Sequence, residues 1–150
     1  MAASSWLALG PIGTGALGML LLGADAPAIF AANGMAGIGE IAAGLGLVAG
    51  ITLWGFGLWW MLMAVLITLR YLRAGIPFNL GWWGFTFPLG VYSLATLKLA
   101  STLNLTFFAV FGCLLVASLA VMWLIVGKRT LQGAWRGELF VSPCIAGLKK

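Results

Sequence analysis

The sequence predicts an all-α integral membrane protein with four transmembrane helices arranged as two helical hairpins. The first observation is composition: 63% of the 150 residues are hydrophobic and only 7% are charged, whereas soluble domains carry about 25% charged residues. The second is a set of four apolar runs, of which three are close to the roughly 20 residues that a bilayer-spanning helix needs and the second is longer. The third is that most charged residues stand at the ends of these runs.

The four predicted spans follow one another along the chain. They cover approximately residues 6–22, 41–69, 81–98 and 105–126, so that residues 1–129 form the transmembrane domain and residues 130–150 a cytoplasmic C-terminal tail. The segment from Gly23 to Glu40 is apolar for a loop, and it either dips into the membrane interface or begins the second helix early. Asn104, in the tight turn before the fourth span, is expected to cap that helix.

Basic residues predict how the chain is oriented. Arg70 and Arg73 end the second run, and Lys128 and Arg129 end the fourth. With alternating spans they share one side, so the positive-inside rule predicts a multi-pass protein of the cell (inner) membrane with both termini cytoplasmic. Lys98, near the outer end of the third span, either snorkels to the lipid headgroups or places a positive charge at the outer mouth of an anion path.

Groups that could support catalysis, metal binding or nucleic-acid binding are scarce. The sequence has no histidine and only two widely separated cysteines, Cys113 and Cys144. It has no close pair of carboxylates, so we expect no enzyme activity, no metal site and no cofactor. The net charge of +5 forms no basic patch with interleaved aromatics, which argues against a nucleic-acid partner.

A glycine motif in the first span matches the GxGxxG pattern of dinucleotide-binding proteins. It covers residues 13–18, and it lies inside an apolar run with no preceding strand, so a nucleotide site is excluded. Its glycines either let helices pack closely or face a pore. The residues alone leave these two interpretations open.

The third span, Gly81 to Lys98, is more elaborate than lipid contact requires. Pro88 stands near its middle and removes a backbone donor, for which a neighbour, water or the hydroxyl of Thr86 or Ser93 is expected to compensate. The first span is interrupted in the same way by Gly10-Pro11. Each hairpin therefore pairs a broken helix with a smoother one, a pattern typical of repeat-built transporters whose interrupted helices line the substrate path.

Two motifs carry a resemblance to a known family. One reads Trp82-Trp83 and then Phe85-Thr86-Phe87-Pro88, followed by small residues; the other is LGPIGTGALGMLLLG over residues 9–23. In this order they resemble the penultimate helix, and the start of the hairpin before it, in the tellurite-resistance/C4-dicarboxylate transporter family. That family includes malate and sulfite transporters and slow anion channels. The resemblance implies a fold of ten helices in five hairpins, usually assembled as trimers, of which this chain covers the last two hairpins.

The resemblance also implies a function and a set of site residues. The function is transport of small anions (a dicarboxylate such as malate, sulfite or an inorganic anion) through a pore in membrane lipid, with the missing N-terminal hairpins as a further partner. Phe87 is then the pore gate, with Phe85 as the fallback. The implied pore-lining residues are Gly10, Pro11, Gly13, Gly15, Thr86, Pro88 and Ser93, and Lys98 is the outer-mouth charge.

Two other functions stay open at this point. One is a small four-helix proton-coupled exporter, which needs an acidic residue inside the membrane; Glu40 is the sole candidate, and it stands at a span end. The other is a non-transporting membrane subunit that packs against a partner through its glycine faces.

Overall fold

The computed structural model describes residues 2–73 and 79–137, with side chains from Ser4 onward. It contains five α-helices and one 3-10 segment within these residues. In chain order they are α1 (Ala2–Leu7), α2 (Leu9–Ala32), α3 (Ala36–Arg73), the 3-10 segment (Leu80–Phe85), α4 (Thr86–Leu103) and α5 (Thr106–Trp135).

The long helices form two hairpins that meet through their first members. α2 packs along α3, α4 packs along α5, and α2 packs against α4, while α1 lies on the 3-10 segment. The two broken helices are therefore central, and the smoother helices α3 and α5 flank them. This confirms the all-α class, and the hairpin pairing has the predicted order.

Three helical stretches among the described residues are long and apolar enough to cross a membrane. They are Ser4–Ala32, Ala36–Arg73 and Thr106–Trp135. The third predicted span, which became α4, is not one of them, since it carries Lys98 and several hydroxyl side chains. Crossing by α4 therefore stays a prediction.

The first hairpin has longer helices than the predicted spans 6–22 and 41–69. Of the two possibilities for residues 23–40, the second helix begins early, at Ala36, and only Asn33–Met35 remain as the turn. Asn33 donates its side-chain amide to the Ile29 carbonyl at 2.8 Å, and Gly34 takes a φ of 76°. The helices continue because small residues on α2 and α3 face each other through this segment, as Gly23 faces Gly46.

The second hairpin also differs from the predicted spans at its ends. Residues 81–85 of the span 81–98 lie in the 3-10 segment, and α4 runs on to Leu103. The expectation that Asn104 caps the next helix is wrong: Asn104 ends α4 in the left-handed conformation, with φ 54°. Leu105 holds the N-cap position of α5 without a side-chain capping bond. Beyond the predicted span 105–126, α5 continues to Trp135, so the start of the predicted tail is helical; the rest, residues 138–150 with Cys144, lies outside the described residues.

Basic residues gather at one end of the two hairpins, which we call the basic end. α3 ends with Arg70 and Arg73, and the Arg129 guanidinium of α5 lies 5.5 Å from the ring centroid of Trp82 in the 3-10 segment. The predicted alternation of the hairpins thus puts these charges together. That this end faces the cytoplasm stays a prediction.

Candidate functional site

α2 and α4 both begin at a break placed just before a proline. Pro11 is the third residue of α2 and Pro88 the third residue of α4. Proline is tolerated in the first helical turn because the N–H groups there have no intrahelical acceptor. The missing donors are therefore accommodated by starting new helices at these points.

The two hydroxyls expected to compensate for Pro88 bond elsewhere. The Thr86 hydroxyl donates to the Trp83 carbonyl at 2.8 Å, and the Ser93 hydroxyl donates to the Leu89 carbonyl at 2.6 Å. Neither acceptor is the carbonyl four residues before Pro88, at Gly84, so these hydroxyls do not replace the lost bond.

The two breaks lie against each other, with the ring of Phe87 on Gly10. A Cβ atom on Gly10 would stand 3.1 Å from Cε1 of Phe87, and one on Gly13 would stand 3.1 Å from the Tyr92 backbone nitrogen. Both glycines are buried. Packing, the first of the two interpretations left open for these glycines, accounts for Gly10 and Gly13.

The predicted pore-lining residues divide into exposed and buried sets. Gly13, Pro88 and Ser93 are buried between helices, and Gly15 packs against Leu53 of α3. Gly10 is buried as well, Pro11 is the exposed member and Thr86 is half-buried. Of the two candidate gates, Phe87 is 63% exposed, whereas Phe85 is 3% exposed, under Trp6 and Trp82.

Phe87 belongs to a continuous face that neither hairpin covers, which we call the Phe87 face. On α4, Phe87, Leu94 and Lys98 fall seven and four residues apart and so share one side of the helix. On α2, exposed Pro11 and Thr14 are followed seven residues after Pro11 by Gly18, which has no heavy atom within 4 Å of an added Cβ. The open glycine of this face is thus Gly18, the last glycine of the GxGxxG motif, which the implied pore-lining set did not include.

Comparison with known proteins assigns the chain to a protein family. The sequence profile of SLAC1, the voltage-dependent anion channel family, matches residues 1–131. The chain belongs to the voltage-dependent anion channel family. This confirms the resemblance carried by the two motifs.

Relatives in this family are named as transport proteins. The sulfite efflux pump SSU1 of Arthroderma otae is 37% identical over 139 residues, covering 91% of this chain and 36% of that protein. The corresponding pump of Trichophyton rubrum is 35% identical over the same length and shares. The uncharacterized transporter MJ0762 of Methanocaldococcus jannaschii is 31% identical over 141 residues, covering 93% of this chain and 38% of that protein. The chain thus spans little more than a third of the length of these relatives. No solved structure matches it significantly.

A buried hydrogen-bond network fixes α4 of this family member against α3. The Tyr92 hydroxyl donates to the Trp54 carbonyl, the Trp54 indole donates to the Thr96 hydroxyl, and that hydroxyl donates to the Tyr92 carbonyl, each at 2.8 Å. Tyr92 occupies the space over Gly57, where an added Cβ would stand 2.6 Å from Cε2 of the ring. The network sets the rotation of α4 and so the direction in which Phe87 points.

Each of the two hairpins of this family member is held at the basic end by a tryptophan-to-threonine hydrogen bond, and the two bonds occupy equivalent positions. Trp6 and Trp83 each stand five residues before a helix-starting proline. The Trp6 indole donates to the Thr68 hydroxyl of α3 at 2.9 Å, and the Trp83 indole donates to the Thr130 hydroxyl of α5 at 3.1 Å. The similarity between the two hairpins, which hydropathy suggested, therefore extends to individual hydrogen bonds. The equal spacing from tryptophan to proline is the sequence signal that could have revealed it.

Proposed function

We propose that this chain forms part of a membrane pore for small anions and that Phe87 is the gate of that pore. The observation that carries the proposal is the position of Phe87. Its exposed ring lies at the crossing of the two broken helices, on Gly10, in a face that the two hairpins leave uncovered. Membership of the voltage-dependent anion channel family supports anions as the class of substrate.

The electrostatics of the Phe87 face suit an anion. α2 and α4 both begin beside the contact of Gly10 with Phe87, so the partial positive charges of two helix N-termini converge there. Lys98 lies on the same side of α4, about 16 Å further along the helix axis. A path lined in this way attracts anions through helix ends and a distant charge, and a phenylalanine ring in it closes the path by steric block and dewetting.

Sulfite is the first anion to test, because two of the relatives are named as sulfite efflux pumps. Malate-type dicarboxylates and inorganic anions are the further candidates that the family resemblance suggested. We also propose, on the same basis, a trimer, a cytoplasmic location for the basic end and both termini, and completion of the pore wall by hairpins that this chain does not contain.

Flux through proteoliposomes tests the gate. Phe87→Ala should raise anion flux, because it removes the ring from the path while Gly10 keeps its contact with Pro88. Phe107→Ala is the matched control, since Phe107 is 62% exposed on the flanking helix α5. An equal flux in the Phe87→Ala variant and in the unchanged protein would refute the gate, and a rise in Phe85→Ala alone would move it to Phe85.

A proton-coupled exporter is the second candidate, and one observation favours it. Exposed Glu40 lines a recess of about 380 Å³ together with Gly23, Leu47 and Thr102. In that case transport should follow an imposed pH gradient, and Glu40→Gln should abolish it. Flux that persists both without a pH gradient and in the Glu40→Gln variant would exclude the exporter and keep the channel as the proposed function. A folded protein that carries no flux in any variant would point to the non-transporting subunit.

A further inference from the structure

A crevice separates the two flanking helices at the basic end. Its walls are α3 from Met61 to Leu69 and α5 from Leu115 to Met122, and its floor includes Phe85 and Leu89; its volume is about 220 Å³. α3 and α5 meet at Trp54, whose ring centroid lies 5.0 Å from that of Phe108, and the crevice is the gap that remains between them nearer the basic end. Buried Phe85 and Leu89 form the floor of the crevice. The crevice is therefore on a different side of α4 from the Phe87 face.

The crevice presents an apolar lining, although two hydroxyls border it. The Thr68 hydroxyl accepts the Trp6 indole N–H and donates to the Ala64 carbonyl at 2.8 Å. The Ser118 hydroxyl donates to the Leu114 carbonyl at 2.8 Å. With both donors satisfied within the protein, the lining offers hydrocarbon contact and little to hold an anion. The occupant that suits it is an apolar chain.

Positive charge stands at the end of the crevice nearest the basic end. Arg73 comes four residues after the wall residue Leu69, on the same side of α3. On the opposite wall Arg129 lies seven residues after Met122, about 10 Å along the axis of α5 and on the same side of that helix. A ligand that fills the crevice therefore places its head between two arginine side chains.

We propose that the crevice binds one acyl chain of an anionic phospholipid, whose headgroup contacts Arg73 and Arg129. The wall from Met61 to Leu69 is about 12 Å long, close to the roughly 15 Å of hydrocarbon in one leaflet. Basic side chains at a membrane surface select anionic headgroups. The lipid fills the gap that α3 and α5 leave between them beyond the contact of Trp54 with Phe108. This inference is independent of the gate at Phe87.

Native mass spectrometry of the purified protein in mixed phosphatidylglycerol and phosphatidylcholine micelles tests the site. Leu115→Trp should fill the crevice and strip the retained lipid, since Leu115 is a 7% exposed wall residue. Val121→Trp is the matched control on the same helix, because Val121 is 56% exposed and outside the crevice. We expect the unchanged protein to retain phosphatidylglycerol preferentially and Val121→Trp to behave like it.

Charge variants separate headgroup selection from filling of the crevice. Arg73→Gln and Arg129→Gln should each lower the preference for phosphatidylglycerol about fivefold, the factor expected for one basic side chain near an anionic surface. Lys98→Gln, at the other end of α4, should leave the preference unchanged. Equal retention of both lipids by the unchanged protein, or full retention in Leu115→Trp, would overturn the proposal.

Photocrosslinking decides what fills the crevice without relying on variants. Phosphatidylglycerol with a photoreactive group in its acyl chain, reconstituted with the unchanged protein, should label the peptide that contains Leu115 to Met122. Labelling confined to other peptides would overturn the site.

Discussion

Substitution of one glycine in the first hairpin tests the close contact of α2 with α3. An added Cβ on Gly46 would stand 2.6 Å from the Met19 carbonyl oxygen and 2.7 Å from Cα of Gly23. Both obstacles are backbone atoms of α2, so no side chain can rotate away. Non-bonded carbon atoms prefer about 3.5–4.0 Å, and α2 must therefore move by roughly 1 Å along this contact in Gly46→Ala.

The size of the effect follows from two opposing terms. Overpacking against an immovable neighbour costs about 3 kcal/mol, the upper part of the usual range. Alanine in place of glycine in a helix returns about 1 kcal/mol. Gly46→Ala should therefore lower the free energy of unfolding by about 2 kcal/mol. Gly44→Ala should raise it by up to about 1 kcal/mol, because Gly44 has no heavy atom within 4 Å of an added Cβ.

Unfolding of the two variants in mixed micelles with increasing dodecyl sulfate provides the measurement. The two glycines are two residues apart in α3 and receive the same methyl group, so helix propensity is matched, and the variants differ in that Gly44 is exposed whereas Gly46 is buried against α2. The account predicts changes of opposite sign. Equal shifts in the two unfolding midpoints would refute the packing of Gly46 against Gly23 and with it the long first hairpin.

Three further substitutions follow from the site. Gly10→Ala should displace Phe87, since the methyl group would stand 3.1 Å from the far edge of its ring; we expect altered anion flux with less than about 1 kcal/mol of destabilisation, and unaltered flux would contradict the contact. Tyr92→Phe removes the bond to the Trp54 carbonyl and should cost about 1 kcal/mol in thermal unfolding. Thr96→Val leaves the Trp54 indole without its acceptor and should cost more, about 1–3 kcal/mol; the reverse order would count against the network.

The membrane class and the hairpin order could be predicted because they depend on the hydropathy and charge of continuous runs of residues. The breaks at Pro11 and Pro88 could be predicted too, since proline removes a donor from its own helix, although Pro27 lies inside α2 without ending it. The resemblance to the family rested on the same two segments. These features depend on local sequence, and the structure and the family assignment confirm the class and the membership.

Helix ends and buried partners depended on contacts that the sequence does not display. α2 runs past its predicted end because Gly23 meets Gly46, a contact between residues far apart in the chain. Likewise, Gly13 and Gly18 are alike in sequence, yet the crossing of α4 buries the first and leaves the second open. The partner of Tyr92 on α3 carried no signal. The local rule for Asn104 failed because its left-handed backbone ends α4.

The most direct test of the central claim is sulfite flux through a size series at Phe87. Proteoliposomes carrying Phe87→Trp, the unchanged protein, Phe87→Leu and Phe87→Ala are compared under the same sulfite gradient, with Phe107→Ala as the lipid-facing control. If the exposed ring of Phe87 closes the path, flux rises steadily as the side chain shrinks, while the control matches the unchanged protein. Flux that does not depend on the size of residue 87, from a protein that transports sulfite, would contradict the gate.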